Sequence, residues 1–338
     1  MRAVNSLQQS VHNVAEQIGF SGVVRVDDHG STVLAEAFGP AHRGFGIPNT
    51  IDTQFAIASG GKGFTALAVV SLIADGVVSL DTTARSVLGE DLPLIAGDVT
   101  VEHLLAHRSG IGDYLDEEDP DEDPDGYVLK SPVQALDTTE AFLAEVDGFP
   151  TKFPAGERFS YCNGGYIVLA LIAERSSGIP YHDLVMQRVV APAGLGDTGF
   201  LRPDEASGRM AVGYLNAEGL RANTFHLPIL GNGDGGIYTT AADVHALWRA
   251  IFDGLIVPPE WVAEITRPRS EPSEEGSSYG LGFWLTPARS EVRLIGGDTG
   301  VSFYSAHNPE TVSTWTVISN TTEGAWPMVG HLLEALDG

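Results

Sequence analysis

The chain has 338 residues, 43% of them hydrophobic, enough for a sizeable core in one domain or two closely joined ones. A formal net charge of −26 argues against nucleic acid and anionic membrane as partners. The single cysteine, Cys162, leaves no intramolecular disulfide and no cysteine-rich metal site, and reads as a small buried hydrophobe.

The first twenty residues carry Val4, Leu7, Val11, Val14 and Ile18 at helical spacing, without an uninterrupted apolar stretch or a cleavage site. No apolar run is long enough to span a membrane, and the expectation is a cytoplasmic protein. Two strand candidates follow, "SGVVRVDD" and "STVLAEAFG", joined by His29-Gly30 as a hairpin. Next comes "FAIASGGKGFTALAVVSLIADG", residues 55–76, a helix with an apolar face that stops at Asp75-Gly76. Its head, Ser59-Gly60-Gly61-Lys62-Gly63, is a poor helix start, since each glycine costs about 1 kcal/mol against alanine. A phosphate loop does not explain it, because the opening glycine is absent and Gly63 stands where Ser or Thr is needed.

Further helices are expected in "VTVEHLLAHRSG", "GGYIVLALIAERSSG" and "TTAADVHALWRAIFDG", the last capped by Thr239 or Thr240. Then "YGLGFWLT", "EVRLIGG", "VSFYSAHN" and "TVSTWTVISN" alternate as antiparallel strands, and "GAWPMVGHLLEAL" closes the chain as a helix. Strands at both ends with helices between predict an α+β fold. One antiparallel sheet is built from both termini and flanked by the terminal helices. Residues 1–79 and 276–338 form the α/β region, and 80–275 a mainly helical region, with a pocket at the seam.

Ser59 and Lys62 stand three apart, on one face of the helix start. Lys62 can take the serine proton, and the positive helix end favours the alkoxide and later oxyanion. The glycines then read as positions where substrate approaches backbone. Alone, S-x-x-K is common, and Ser59 could simply cap the helix. Tyr161 and Asn163, in "GERFSYCNGGYIVLALIAE", add a relay for protons and an amide for a substrate. "LIGGDTGVSFYS" adds a glycine-rich strand whose N–H groups could lie beside the substrate.

The order S-x-x-K, Y-x-N, then a Gly-rich strand resembles the serine β-lactamase and penicillin-binding-protein superfamily, most of all its class C β-lactamase-related branch of esterases, D-amino-acid peptidases and acyltransferases. "VTVEHLLAHRSGIGDY", "FPAGERFSYCNGGYIVLALIAERSSG", "GGIYTTAADV" and "YGLGFW" extend the resemblance from about Gly22 to Asn320. It implies an α/β sheet region beside an all-α region. It implies that Ser59 attacks a carbonyl to form an acyl-enzyme, that Lys62 and Tyr161 share the proton transfers, and that Asn163 orients the substrate. The oxyanion hole would be the N–H of Ser59 and that of Asp298. No metal or cofactor is implied. The third motif departs from the family's basic residue, then Thr, Ser or Gly, then Gly: the favoured register is Ile295-Gly296-Gly297, with Leu294 the alternative first position. Losing the basic group removes a contact to a substrate carboxylate worth roughly 1.5–3 kcal/mol. The reading is therefore an esterase or amidase acting on a small-molecule substrate. A β-lactamase or D-Ala-D-Ala carboxypeptidase is the alternative, and an acylated or inactive binding protein the alternative from another class.

Other motifs read as decoys. "GSSYG" at 276–280 lacks the strand-before, helix-after context of a nucleophile elbow, so Ser278 is expected in a loop. His103 and His107 form H-x-x-x-H without the glutamate of a zinc protease. In "DYLDEEDPDEDPDGY", Asp121, Asp123, Asp125 and Gly126 match the start of a calcium loop, but Pro132 holds its twelfth position. A solvated acidic run is the plainer reading, and it could attract a cationic substrate. "GNGDGGIY" with Asp234 reads equally as a tight turn or, by resemblance, as a pocket border.

Overall fold

The computed structural model describes residues 2–119, 127–205, 208–273 and 276–336. Seven strands make one antiparallel sheet: β1 (Gly22–Asp28), β2 (Ser31–Phe38), β3 (Ser278–Tyr279), β4 (Trp284–Thr286), β5 (Glu291–Asp298), β6 (Val301–Asn308) and β7 (Ser313–Ser319), in the order β2-β1-β7-β6-β5-β4-β3. The fold is α+β, with the first and last parts of the chain meeting in the sheet through the β1–β7 pair. At the β1–β2 turn His29 and Gly30 both have positive φ, 46° and 73°, the backbone that a two-residue hairpin with right-handed twist requires.

Alternation along the strands divides the core. Val24, Val26, Tyr304, Ala306, Trp315 and Val317 face helices α1 (Arg2–Ile18) and α6 (Ala325–Leu336). Val23, Leu294, Phe303 and Ile318 face the other way, into the larger core around α2 (Lys62–Ala74) and α4 (Asn163–Ser177). Every residue of α2 from Lys62 to Ile73 is buried. The apolar face seen in the sequence is thus one side of a helix surrounded by protein. The expected helix in 99–110 is only five residues long, α3 (Val101–Leu105), because His107 turns into the left-handed region at φ 53°.

Helix α5 (Ala241–Phe252) begins at Thr240, whose hydroxyl accepts from the Asp243 amide at 3.1 Å. It lies in the segment expected to be mainly helical, and it packs on the sheet. Trp248 Nε1 donates to Ser305 Oγ at 2.9 Å, and His245 Nδ1 stands 2.9 Å from Asp27 Oδ2. Asp27 is also bonded by Arg25, at 3.0 and 3.2 Å. Burial works against the Asp27 charge, but His245 and Arg25 together hold its carboxyl well below the usual range; burial lowers His245. In both cases the unfolded chain binds more protons than the native one, so stability falls as pH drops from about 6.5 through the carboxylate range. Asp27→Asn should cost about 1.5–3 kcal/mol at pH 7 and flatten the acid limb of a Tm-versus-pH curve. An unchanged acid limb would show that the cluster does not carry it.

No helix among the described residues is long and apolar enough to cross a membrane.

Candidate active site

The chain enters the site through a strained residue. Ala58 has φ 43°, uncommon for a side chain with a Cβ, and Ser59 follows in a 3-10 turn, Ala58–Gly61, that leads into α2. The head of the helix is thus a separate, tighter turn. Its glycines are dictated by packing against protein, where the sequence suggested substrate approach. A Cβ at Gly60 would lie 2.6 Å from the Phe303 ring, one at Gly61 3.1 Å from Gly235 Cα, and one at Gly63 2.5 Å from Leu294 Cδ2.

Lys62 is 2% exposed and spends its three donors on Ser59 Oγ (2.9 Å), Asn163 Oδ1 (2.8 Å) and the Asp234 carbonyl (2.8 Å). The ammonium is thereby aimed at the serine from two sides. Tyr161 completes the group. Its phenol is close enough to Ser59 to be influenced by that hydroxyl, its ring lies 4.9 Å from Lys62 Nζ, and it stacks on Trp284 at 6.1 Å and 13°. Burial, followed by the charge of Glu117, pushes the phenol well above its ordinary range, so Tyr161 is a neutral O–H at pH 7.

The loop carrying Tyr161 is fixed by two groups. His107 Nδ1 accepts from the Cys162 amide at 3.0 Å, and its ring packs 4.2 Å from that of Tyr161. Burial and then Lys62 hold this imidazole well below its usual range, hence neutral. Asp113 accepts the amides of Asn163, Gly164 (2.8 Å) and Tyr114 (2.8 Å), capping α4 with a carboxylate that burial raises to about 6. Asn163 is therefore the first residue of a helix, its Oδ1 on Lys62 and its Nδ2 on Leu115 O and Glu117 Oε1. His103 instead accepts from the Thr100 amide to cap α3.

Strand β5 runs past the serine. Gly296 is the point of contact: a Cβ there would sit 2.1 Å from Ile57 O and 3.0 Å from Ser59 N. At Gly297 it would meet only Trp326 Cζ2, at 3.3 Å. Gly296 is thus the glycine pressed on the Ser59 turn, which favours reading the third motif one residue back, as Leu294-Ile295-Gly296. Leu294 is buried in the core. The turn Thr299-Gly300 joins β5 to β6 with Asp298 opposite Val301 and Gly297 opposite Ser302. In an antiparallel ladder closed by a two-residue turn, the pair at the turn is hydrogen-bonded and the next pair is not. The Asp298 N–H therefore points at β6, and the Gly297 N–H points off the edge that β4 leaves uncovered beyond Arg293. By this pairing the amide turned toward the open edge is that of Gly297, where the sequence reading expected that of Asp298. The Ser59 N–H, in the first turn of its helix, has no intrahelical partner.

Two spaces meet at Ser59. The deeper one, about 70 Å³, is lined by Asn163, Asn232, Asp234, Glu117, Gly297 and Asp298 among others. The outer groove, about 460 Å³ and more open, lies along Tyr161, Trp284, Ile295 and Trp326. The glycine-dense loop is both turn and border: Asn232 and Gly235 exchange backbone bonds at 2.9 and 3.1 Å, and a Cβ at Gly235 would lie 2.7 Å from Ala58 O. Tyr114, which nothing in its sequence setting marked, donates to Asp234 Oδ2, and Tyr127 reaches Asp298 Oδ2 at 3.5 Å.

Of the acidic run, residues 120–126 lie outside the described residues, and with them the calcium-loop reading of Asp121, Asp123, Asp125 and Gly126. The described part is largely tied down. Lys152 meets Asp116 at 2.9 Å and Glu118 at 3.6 Å, and Arg158 meets Glu118 at 3.3 Å. Ser278 sits buried on β3, opposite Leu285, contrary to the loop expected for it.

A serine–lysine pair, a tyrosine and a sheet edge with an amide turned outward lie together at the junction of an antiparallel sheet and a helical region. The family profile described as Beta-lactamase matches residues 7–337, and the chain belongs to that family. It is 34% identical to esterase EstB of Burkholderia gladioli, over 57% of this chain and 49% of the esterase. It is 29% identical to a D-aminopeptidase of Brucella anthropi, over 56% of this chain and 35% of that protein. A crystal structure of a penicillin-binding protein from Bacillus halodurans superposes with a TM-score of 0.89 at 33% identity, covering 96% of this chain and 99% of that one. The chain spans about a third to two thirds of the length of these and other curated relatives.

Proposed function

We propose that this chain is a serine hydrolase that forms an acyl-enzyme on small esters or amides. The observation that carries the reading is Ser59 Oγ held by Lys62 Nζ at 2.9 Å with the Tyr161 phenol beside it. Ser59 Oγ attacks the carbonyl carbon while its proton passes to Lys62, which takes it in its amine form. The carbonyl oxygen becomes an oxyanion received by the N–H groups of Ser59 and Gly297. As the carbon–oxygen or carbon–nitrogen bond breaks, Tyr161 gives its proton to the leaving group and recovers one from Lys62. Water then attacks the acyl carbon, its proton travels the reverse route, and Ser59 is restored.

The acyl group must stay through both steps and the leaving group must depart, which assigns the enclosed space to the acyl group and the open groove to the leaving group. The deeper space is the narrower and less open of the two, which suits it to a small acyl group. The enclosed wall is acidic, so a positively charged substrate is preferred to an anionic one. A β-lactamase or carboxypeptidase role is disfavoured because Leu294 is buried apolar surface where the family's lactam-directed members place a cation. Division of the chain into a sheet-bearing part, 1–79 with 276–338, and a mainly helical part, 80–275, remains our description of how the site is assembled at a seam.

Tyr161→Phe should lower kcat for an amide about 10²–10³-fold, within the range of general-acid contributions, and less for a p-nitrophenyl ester whose leaving group needs no proton. Hydrolysis of p-nitrophenyl acetate and butyrate beside a cephalosporin tests the reading. Turnover of the esters with little of the cephalosporin is expected; the reverse preference would make a β-lactamase of it, and no turnover of any substrate would favour a binding protein.

A further inference from the structure

The outer groove at Ser59 has an aromatic wall that acyl transfer by itself does not require. Trp284 is fixed there by three rings: Tyr161 at 6.1 Å and 13°, Tyr279 at 4.9 Å and 89°, and Phe159 at 5.8 Å and 65°. Trp326, at the start of α6, has its Cζ2 3.3 Å from where a Cβ on Gly297 would stand. One indole is thus anchored beside the tyrosine assigned to protonate the leaving group, the other beside the strand assigned to the oxyanion. Both line the groove and both are partly exposed. Three carboxylates, Glu117, Asp298 and Glu323, line the same groove, and no Lys, Arg or His does among the described residues. Glu117 accepts from the Asn163 amide, a neutral donor. Arg293, two residues before Ile295 on β5, is turned to Tyr304 and Ser277 instead. Indole presents the strongest cation-attracting face of any side chain, and the carboxylates give the groove the same sign. An uncharged leaving group would gain nothing from those charges, and an anionic one would be repelled by them.

Resting on the serine-hydrolase reading, we propose that Trp284 and Trp326, with Glu323 and Glu117, form a leaving-group subsite for an N-methylated ammonium, and that the substrates are esters of small acids with quaternary amino alcohols. The ester carbon–oxygen bond breaks, the acyl group stays on Ser59, and the leaving oxygen takes its proton from Tyr161, so that a cationic alcohol departs along the groove. Trp284 stands one ring away from Tyr161. A cation two carbons from the leaving oxygen therefore comes within the roughly 6 Å at which a ring face attracts it. Methylation suits the wall. A primary ammonium has three N–H donors to satisfy, whereas a quaternary one has none to leave unpaired against indole faces.

The experiment compares butyrylcholine with 3,3-dimethylbutyl butyrate, in which carbon replaces the charged nitrogen at nearly constant shape. Each kcat/KM is divided by the rate of hydroxide-catalysed hydrolysis of the same ester, which removes the difference in leaving-group reactivity. At low ionic strength the wild-type ratio should favour butyrylcholine at least fivefold. The ratio, and not the absolute rate, is then measured for Trp326→Leu and Glu323→Gln, each checked for an unaltered fold by its Tm and near-ultraviolet circular dichroism, and should fall at least threefold in Trp326→Leu and about twofold in Glu323→Gln. If a variant fails to fold, competition with the wild-type enzyme replaces it: tetramethylammonium chloride should inhibit p-nitrophenyl butyrate turnover at concentrations where sodium chloride does not. A wild-type ratio near one, with p-nitrophenyl butyrate turned over, would overturn this assignment and leave the hydrolase reading standing. A preference for butyrylcholine that both folded variants keep in full would overturn the placement in this groove. Absence of turnover on all three esters, with no acyl group on Ser59, would instead overturn the hydrolase reading itself.

Discussion

Ser59→Ala is expected to lower kcat for p-nitrophenyl butyrate by at least about 10³-fold, with the protein still folded. Removing a nucleophile from a group of residues that act as a unit costs about as much as removing the unit; what survives comes from binding and the oxyanion donors. The substitution is mild for stability. Ser59 is only partly buried, and the alanine removes one hydroxyl that accepts from Lys62. Lys62 keeps two acceptors, Asn163 Oδ1 and the Asp234 carbonyl, so its buried charge is not stranded. A change in Tm within about 1.5 kcal/mol equivalent is expected, since a lost hydrogen bond contributes about that much. Retained turnover in a pure, folded Ser59→Ala protein would remove Ser59 from the chemistry.

The second large effect comes from a position that touches no substrate atom with a side chain. Gly296→Ala would place a methyl 2.1 Å from Ile57 O, 2.7 Å from Gly60 N and 3.0 Å from Ser59 N. All three are backbone atoms, two of them in the turn that carries the nucleophile, so neither rotamer change nor a side-chain shift relieves the clash. The strand and the serine must separate. A displacement of about 1 Å costs on the order of 10²-fold in rate, and overpacking of this kind destabilises by about 1–3 kcal/mol. Both are expected, with kcat/KM and Tm falling together. At Gly297 the same change meets only the far edge of the Trp326 ring, at 3.3 Å, and Tm should hold. An active, stable Gly296→Ala protein with a destabilised Gly297→Ala one would return the third motif to the register read from sequence.

That register shows where sequence reading stops. Ser59, Lys62, Tyr161 and Asn163 were legible because each lies in a short local pattern at a helix start, and the structure brings all four together around Lys62 and Ser59. The sheet was legible from period-2 alternation and from the His29-Gly30 turn. "LIGGD" offered no such anchor. Two adjacent glycines and flanking aliphatics look alike in either register, and only the approach to Ile57 and Ser59 separates them. Which amide faces the ladder likewise depends on pairing with β6, which no local pattern announces. The third acceptor for Lys62 is a main-chain carbonyl, that of Asp234, and no side-chain pattern announces it. Asp113 was read as part of a solvated run, yet it is buried under the amides of α4, a role set by contacts across fifty residues. The glycines of the nucleophile's turn were noticed correctly as special, but the neighbours they accommodate are Phe303, Gly235 and Leu294, each distant in sequence.

The most direct test of the central claim is an acid-quenched reaction with p-nitrophenyl butyrate at high enzyme concentration, followed by intact-protein mass and peptide mapping. An added butyryl mass on the peptide containing Ser59, formed in the first turnover and absent from Ser59→Ala, is the predicted result. Steady ester turnover with no covalent adduct at any quench time, or with the adduct on another residue, would contradict it.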